Sequence, residues 1–461
     1  MVDLEIHQID SVYLKVDCDK STAKELSDFF TFSVPNHKYT PAYKNKMWDG
    51  QIRLFNVHTR KIYAGLLDYI VSFAKERKYS YEVKIQNENK LDIDVEQFIN
   101  EVVQPTIDGE KIQLYDYQMS AVKHAFNKDR CLLLSPTGSG KSLIIYSLIR
   151  LYDKIILIIV PTTNLVLQLK NDFINYSSED WDWDIEKKCH LIYAGRSKET
   201  NKRVVISTWQ SIYKEPKEFF DKFNVVFGDE CHLFKAKSLT SLMTNLTECP
   251  YRIGTTGTLD GTNAHKLVIE GLFGTVSKIT TTKQLMEDKI LSELSIDCVN
   301  LKYSDEERNE TKRMKYQDEI KWLISNQNRN GFISNLSCNL KGNTLLLFNY
   351  VDSHGKPLYE MITENCSDKE VFFISGGTDV EQREQIRNII DKQKNSILVA
   401  SYGTCSTGIN IKNINNIIFA SPSKSVIRVL QSIGRGLRKS KIKQKVKLYD
   451  ISDDLRYKKY R

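Results

Sequence analysis

The sequence contains no long hydrophobic run. Its longest apolar stretch, "IILIIV" at 155–160, is far too short to cross a bilayer, which excludes a helical membrane protein. The N-terminus carries Asp3 and Glu5 and no apolar signal core, which argues against export. Short-period repeats and low-complexity tracts are absent. The nine cysteines are scattered, with no C-x-x-C and no metal-ligand spacing, so they read as free thiols in a reducing compartment. Acidic residues are scarce at the C-terminal end: residues 421–461 hold 13 Lys and Arg against 3 Asp. The net charge of +8 is thus concentrated there, and "RKSKIKQKVK" at 438–447 is a candidate phosphate contact as well as a solvated face. A chain of 461 residues suits two to four domains.

The stretch "LLLSPTGSGKSLII" at 132–145 has the order strand, small loop, helix. Pro136, Thr137, Gly138, Ser139 and Gly140 form the loop, whose glycines let backbone N–H groups turn toward an anion. Lys141 follows as a point charge for terminal phosphates, and Ser142 offers a hydroxyl to Mg²⁺. This is the spacing of an ATP loop, with Ser135 where the usual pattern has its first glycine.

From about 110 to 282 short apolar strands alternate with helical segments: "CLLLS", "KIILIIV", "CHLIYAG", "RVVISTW", "NVVFGDE" and "YRIGTTG". A polar helical region near 305–330 leads to a second alternation: "NTLLLFN", "VFFISGG", "SILVASYG", "NIIFASP" and "VKLYDIS". Continuous apolar strands spaced by helices predict parallel sheets buried on both faces. The fold class is therefore α/β, with two tandem doubly wound domains, 99–282 and 283–461, behind a small α+β unit, 1–98. In that unit "STAKELSDFFTF" and "YAGLLDYIVSFAKERKY" read as helices, the first starting at Ser21, and "QPTIDGE" at 104–110 punctuates its end.

Two further patterns carry chemistry. "NVVFGDECH" ends a strand on Asp229 and Glu230, about 90 residues after the phosphate loop. Asp229 suits Mg²⁺, and Glu230 suits activation of the attacking water. "QSIGRGLRK" holds Gln431, Arg435 and Arg438, the arginines three apart and so on one helix face. Guanidiniums suit the charge of a transferring phosphoryl group. They belong to the second α/β domain, so the complete site is expected only when the domains close, as in a motor.

The ordered set "LYDYQ", "SPTGSGKS", "PTTNLVLQ", "STWQS", "GDECH", "TTGTLDG", "LLLFNYVDSHG", "FISGGT", "ASYGTCSTGINI" and "QSIGRGLRK" resembles that of superfamily-two helicases across about 110–440. The resemblance implies two RecA-like domains. It implies adenine recognition by Gln118, coupling through His232, Gln431, Thr256 and Thr258, and a ribose-side role for Gly408 and Asn410. Contacts to a nucleic-acid backbone would come from Thr162, Thr163, Thr208, Trp209, Ser375, Gly376 and Ser401. "FFTFSVP…KMWDGQIRLFN" followed by "GLLDYIVSFAKERKY" resembles the UvsW recombination helicases of large tailed bacteriophages, so the likeness begins at residue 1. That family unwinds branched or forked DNA: it migrates Holliday junctions, regresses forks and removes R-loops, with RNA–DNA hybrids as substrates. The resemblance implies a monomer in the host cytoplasm, with recombination or replication proteins as partners, and further C-terminal helices beyond "YKKYR".

Three alternatives compete. An RNA helicase is disfavoured by "DECH" and "TTGTLDG". A restriction-system motor shares the motifs, but no nuclease-like cluster is evident. A scaffold with a dead site conflicts with the presence of every chemical residue. In the N-terminal unit Tyr43, Trp48, Phe55 and Tyr63 read first as core. Lys38, Lys44, Lys46, Arg53, Arg60 and Lys61 nevertheless crowd a stretch whose one acid is Asp49, which suits duplex binding.

Overall fold

Two runs of apolar strands alternating with helices build two parallel sheets, and a smaller mixed sheet precedes them. The computed structural model describes residues 2–85, 93–180, 183–234, 236–259, 262–408, 411, 413–422, 434, 437 and 445–455. The chain divides into two units, Met1–Ser135 with Gly140–Thr280, and Pro136–Ser139 with Thr281–Arg461.

The first unit opens with β1 (Leu4–Gln8), β2 (Tyr13–Cys18), β3 (Thr31–Ser33), β4 (Gln51–Arg53), β5 (Lys61–Tyr63) and β6 (Tyr81–Lys84). A mixed sheet runs β5-β2-β1-β6, while β3 and β4 form a separate ribbon. Helices Lys20–Phe29 and Leu67–Glu76 bury Ala23, Leu26, Ile70 and Phe73 against Leu4, Ile6, Leu14 and Val16. The first helix starts one turn position earlier than expected. Asp19 is its cap, accepting from the N–H groups of Ser21 and Thr22, and Ser21 is already helical.

This small sheet is packed on the next one. Leu267 and Val268 of helix Asn263–Phe273 complete its core. Gly65 lies so close to that helix that a Cβ would sit 2.1 Å from the Glu270 carbonyl oxygen. The Tyr69 hydroxyl donates to the buried Glu270 carboxylate at 2.8 Å, and the Val276 N–H donates to its other oxygen at 2.9 Å. Burial and this carboxylate hold the Tyr69 phenol well above its ordinary pKa. Ser11 donates to the Thr247 carbonyl and accepts from Arg130.

"QPTIDGE" forms a tight hairpin, β7 (Thr106–Ile107) and β8 (Glu110–Lys111), turning through Gly109 at φ +81°. Val95, Ile99 and Val103 just before it pack in the core of the following sheet. That sheet comprises β9 (Arg130–Leu134), β10 (Ile156–Val160), β11 (Cys189–Ile192), β12 (Val204–Thr208), β13 (Val225–Asp229), β14 (Tyr251–Thr256) and β15 (Val276–Lys278). Its order is β11-β12-β10-β13-β14-β9-β15, every pair parallel. Apolar layers on both faces explain the unbroken Val, Ile and Leu runs.

The second unit has β16 (Glu293–Lys302), β17 (Thr344–Phe348), β18 (Glu370–Ile374), β19 (Ser396–Ser401), β20 (Asn416–Phe419) and β21 (Lys445–Asp454), in the parallel order β16-β21-β20-β17-β19-β18. Edge strand β16 was not expected: only half of "ELSIDCVNLK" is apolar, unlike the unbroken runs of the inner strands, and it gains its strand state from pairing with β21. Arg329, fully buried, is held by Asp453 and by the Ala420 carbonyl. His354 is buried between Ser421 and Asn330, at 2.8 and 3.2 Å. The expectation of nine free thiols is corrected. Cys338 and Cys366 are disulfide-bonded, with Cα atoms 5.5 Å apart. Helices Gln327–Asn339 and Lys356–Asn365 bring them side by side, a proximity their separation of 28 residues does not reveal.

Gly65→Ala should lower stability by about 1–3 kcal/mol, read by thermal unfolding, because the added methyl meets a fixed carbonyl. Gly331→Ala, a helical site with nothing within 4 Å, should instead raise it by up to about 1 kcal/mol. Burial and Arg329 depress the His354 pKa to about 3, so the folded state keeps it neutral. Protons then bind the unfolded chain first. The stability associated with His354 is complete above about pH 6.5 and falls by up to about 1.4 kcal/mol per unit as pH drops toward 3. His354→Asn should flatten that acid limb in pH-dependent denaturant titrations.

Candidate active site

The phosphate loop leaves β9 at Leu134. Ser135 is buried, its N–H donates to the Thr256 carbonyl at 2.9 Å, and it is not among the residues with positive φ. Glycine is therefore not needed there, which resolves the departure at that position. Gly138 and Gly140 do need to be glycine, at φ +85° and +79°. Gly140 is tighter still: a Cβ would meet the Gln118 side-chain nitrogen at 2.3 Å. Ser139 closes the turn by donating its hydroxyl to the Pro136 carbonyl at 2.8 Å.

Helix Lys141–Leu151 follows, with Gly140 as N-cap and no side-chain cap on its first amides. An uncapped N-terminus behind a glycine turn favours an anion. Lys141 Nζ donates to the Ser135 carbonyl at 3.2 Å, folded back over the loop. The Ser142 hydroxyl lies 2.9 Å from that of Tyr176, a neighbour not signalled by the motif. Gln118 is buried, and its side-chain oxygen accepts from the Tyr115 N–H at 3.0 Å in a capping box.

Strand β13, flanked by β10 and β14, delivers Asp229 at its carboxyl end. The carboxylate accepts from the Thr255 hydroxyl at 2.7 Å and the Glu230 N–H at 3.0 Å. Desolvation and the Glu230 charge push its pKa up, opposed by Lys141. Glu230 adopts the left-handed conformation, φ +52° and ψ +50°, which costs a non-glycine residue about 1–2 kcal/mol. Such strain is retained where it aims a functional group. Here it brings the Glu230 carboxylate within 3.4 Å of His232 Nδ1. The same nitrogen lies 3.2 Å from the Thr256 hydroxyl, which donates to the Thr258 carbonyl at 2.9 Å. A polar chain thus runs from Glu230 through His232 and Thr256 to Thr258. The donor set fits a magnesium nucleotide: an uncapped helix start and a lysine for phosphate, with a hydroxyl and a carboxylate whose buried charge a cation would favour.

The residues expected at a nucleic-acid track lie at carboxyl ends of strands in their respective sheets. Thr162 caps helix Thr163–Tyr176 by accepting from the Leu165 N–H. Thr208 is buried and hydrogen-bonds Ser211 at 2.8 Å, and Trp209 opens the next helix, its ring packed on Tyr213. Gln210 ties these two loops by donating to the Pro161 carbonyl at 3.1 Å. In the second unit Arg383 grips the Ser375 and Gly376 carbonyls at 3.2 and 2.9 Å, and Ser401 pairs with Thr404. Gly408 ends helix Tyr402–Gly408. Asn410, Gln431, Arg435, Arg438 and most of "RKSKIKQKVK" lie outside the described residues. Thr255 and Tyr176 went unnoticed in the sequence, since only pairing across strands and helices brings them to Asp229 and Ser142.

Comparison with known proteins decides the family. The chain is 36% identical to the ATP-dependent DNA helicase uvsW of Enterobacteria phage T4, over 98% of this chain and 91% of that protein. The chain belongs to the UvsW helicase family. The model "DNA helicase UvsW, N-terminal" matches residues 3–85, "Type III restriction enzyme, res subunit" matches 111–261, and "Helicase conserved C-terminal domain" matches 329–440. The crystal structure of T4 UvsW is similar at 33% identity and TM-score 0.55, covering 98% of this chain and 91% of that one. A second crystal structure of the UvsW helicase from bacteriophage T4 covers 60% of this chain and 99% of its own, at 32% identity and TM-score 0.54. Two RecA-like parallel-sheet domains behind a small α+β domain are the fold of this family member.

Lys141→Ala should nearly abolish ATP turnover. Glu230→Gln should keep nucleotide binding and lower turnover by about 10²–10⁴. Thr255→Val, which removes the hydroxyl donor to Asp229, should weaken Mg²⁺ dependence more than nucleotide affinity, read by titrating Mg²⁺ at fixed ATP. Near-normal turnover in the Gln variant would remove Glu230 from the role of base.

Proposed function

We propose that this chain is an ATP-dependent DNA helicase that remodels branched DNA. Its work would be branch migration of Holliday junctions, fork regression and R-loop removal, in recombination, replication and repair within the host cytoplasm. The observation that carries the reading is the polar chain from Glu230 to Thr258, which joins the water-activating carboxylate to a second strand end. Family membership across 98% of the chain, including the N-terminal match at 3–85, favours this over a restriction motor or an RNA helicase.

In this reading Lys141 and the first amides of helix Lys141–Leu151 bind the phosphates. Ser142 and Asp229 would hold Mg²⁺, which when bound neutralises phosphate charge. Glu230 orients the attacking water and takes its proton. His232 senses the change at Glu230 and passes it through Thr256 to the Thr258 loop. Gln118 would read adenine, Gly408 and Asn410 the ribose, Arg435 and Arg438 would stabilise transferred charge, and Gln431 would couple the site to the nucleic acid. Thr162, Thr163, Thr208, Trp209, Ser375, Gly376 and Ser401 would track the strand through phosphate. Residues 1–98 would grip duplex, 99–282 bind ATP and 283–461 complete the motor.

The test is ATP turnover on single-stranded, duplex, forked and four-way DNA, an RNA–DNA hybrid and RNA. Branched DNA should stimulate most, with affinity falling steeply in salt and varying little with sequence. His232→Ala should retain DNA-free turnover but lose most of the stimulation. Greatest stimulation by RNA alone would assign the chain to the RNA helicases.

A further inference from the structure

Between β3 and β4 the chain makes an excursion, residues 34–50, that carries the two most exposed large hydrophobic side chains among the described residues. Met47 is 81% exposed and Tyr39 77%. Lys38, Tyr43, Lys44, Lys46, Met47, Trp48 and Asp49 line an open cavity of about 670 Å³. That volume admits a nucleotide-sized group. Charge at its rim is net positive, three lysines against one carboxylate. Asp49 is the one acid in the excursion, and its carboxylate is taken by the Arg53 guanidinium and the Gln51 N–H. None of the three lysines pairs with a carboxylate among the described residues.

The excursion is held in shape. Gly50, at φ +80°, lies so close to His37 that a Cβ would be 2.3 Å from the ring. The His37 ring packs edge-on to Tyr43 at 4.8 Å, and its Nδ1 lies 2.7 Å from the Val34 carbonyl. Thr40 caps the turn Pro41–Lys44, and the Trp48 indole N–H donates to the Gln51 carbonyl at 2.8 Å. The apolar side chains are therefore presented on a built support. An apolar surface rimmed by charge marks a binding site.

We propose that this cavity seats one unpaired DNA base at a strand junction. This deepens the branched-DNA reading above and rests on it. Ring and thioether faces stack on any base, and lysines act as point charges on the flanking phosphates without reading sequence. A continuous duplex offers phosphates but hides its base faces. The aromatic lining therefore selects a nucleotide already out of the stack, as at a crossover.

The experiment uses the full chain with a four-way junction, a duplex carrying one extrahelical base, and the same duplex without it. Met47→Ala/Trp48→Ala should bind the junction and the bulged duplex about tenfold more weakly, with plain-duplex affinity and DNA-free ATP turnover unchanged. Trp48→Phe, which keeps a ring face, should recover most of the loss. Met47→Ala alone, at an exposed side chain, should unfold at the wild-type temperature yet show part of it. Lys44→Ala/Lys46→Ala should weaken all three DNAs and reduce the salt slope by about two. Wild-type junction affinity in the Met47→Ala/Trp48→Ala variant, or an equal loss on plain duplex, overturns the inference. So does loss of binding to a poly-glutamate peptide alone, which would assign the surface to an acidic protein. If wild-type ATP turnover responds to no DNA, the helicase reading itself fails.

Discussion

A carboxylate at the end of a strand covered on both faces is unfavourable unless something near it replaces water. Asp229 is in that position, and the arrangement of the site follows from how its charge is met. The Thr255 hydroxyl, the Glu230 N–H and the Lys141 charge each compensate it in part. Those three groups come from β14, the residue after β13, and the helix after β9. The parallel order β13-β14-β9 puts all their starting points at the carboxyl ends of adjacent interior strands. Burial leaves the carboxylate short of positive charge, the condition under which a divalent cation is a favourable neighbour.

The strained backbone at Glu230 belongs to the same problem. Continuing β13 in extended geometry would carry the second carboxylate away from His232. The left-handed turn brings it back, at about 1–2 kcal/mol that the surrounding sheet supports. His232 then bridges β13 to the end of β14 through Thr256. Glu230, His232, Thr256 and Thr258 are thereby in continuous polar contact, from one strand end to a loop on the next.

The small N-terminal sheet shares side chains with its neighbour. Leu267 and Val268 lie in its core, and Gly65 permits an approach that any side chain would block. Glu270 is buried at this junction and satisfied from both sides, by Tyr69 and by Val276. The first unit therefore carries its N-terminal surface, including residues 34–50, on the same body as Lys141, Asp229 and Glu230.

Much of this was readable along the chain. The phosphate loop is contiguous, so Gly138, Gly140, Lys141 and Ser142 announce it by local turn chemistry alone. Strands buried on both faces are nearly uniformly apolar, so all but β15 of the seven-stranded sheet stood out, as did Asp229 and Glu230 at a strand end. Edge strand β16, only half apolar, did not, because its state comes from β21. Thr255, Tyr176, the Cys338–Cys366 bond and the Gly65–Glu270 approach were equally hidden. Each depends on residues far apart in sequence being brought together, and no local period encodes that. What the sequence determined was the set of chemical groups and their order. Which partners satisfy them was decided by the tertiary structure, because a buried charge or a close backbone approach exists only once distant elements have packed.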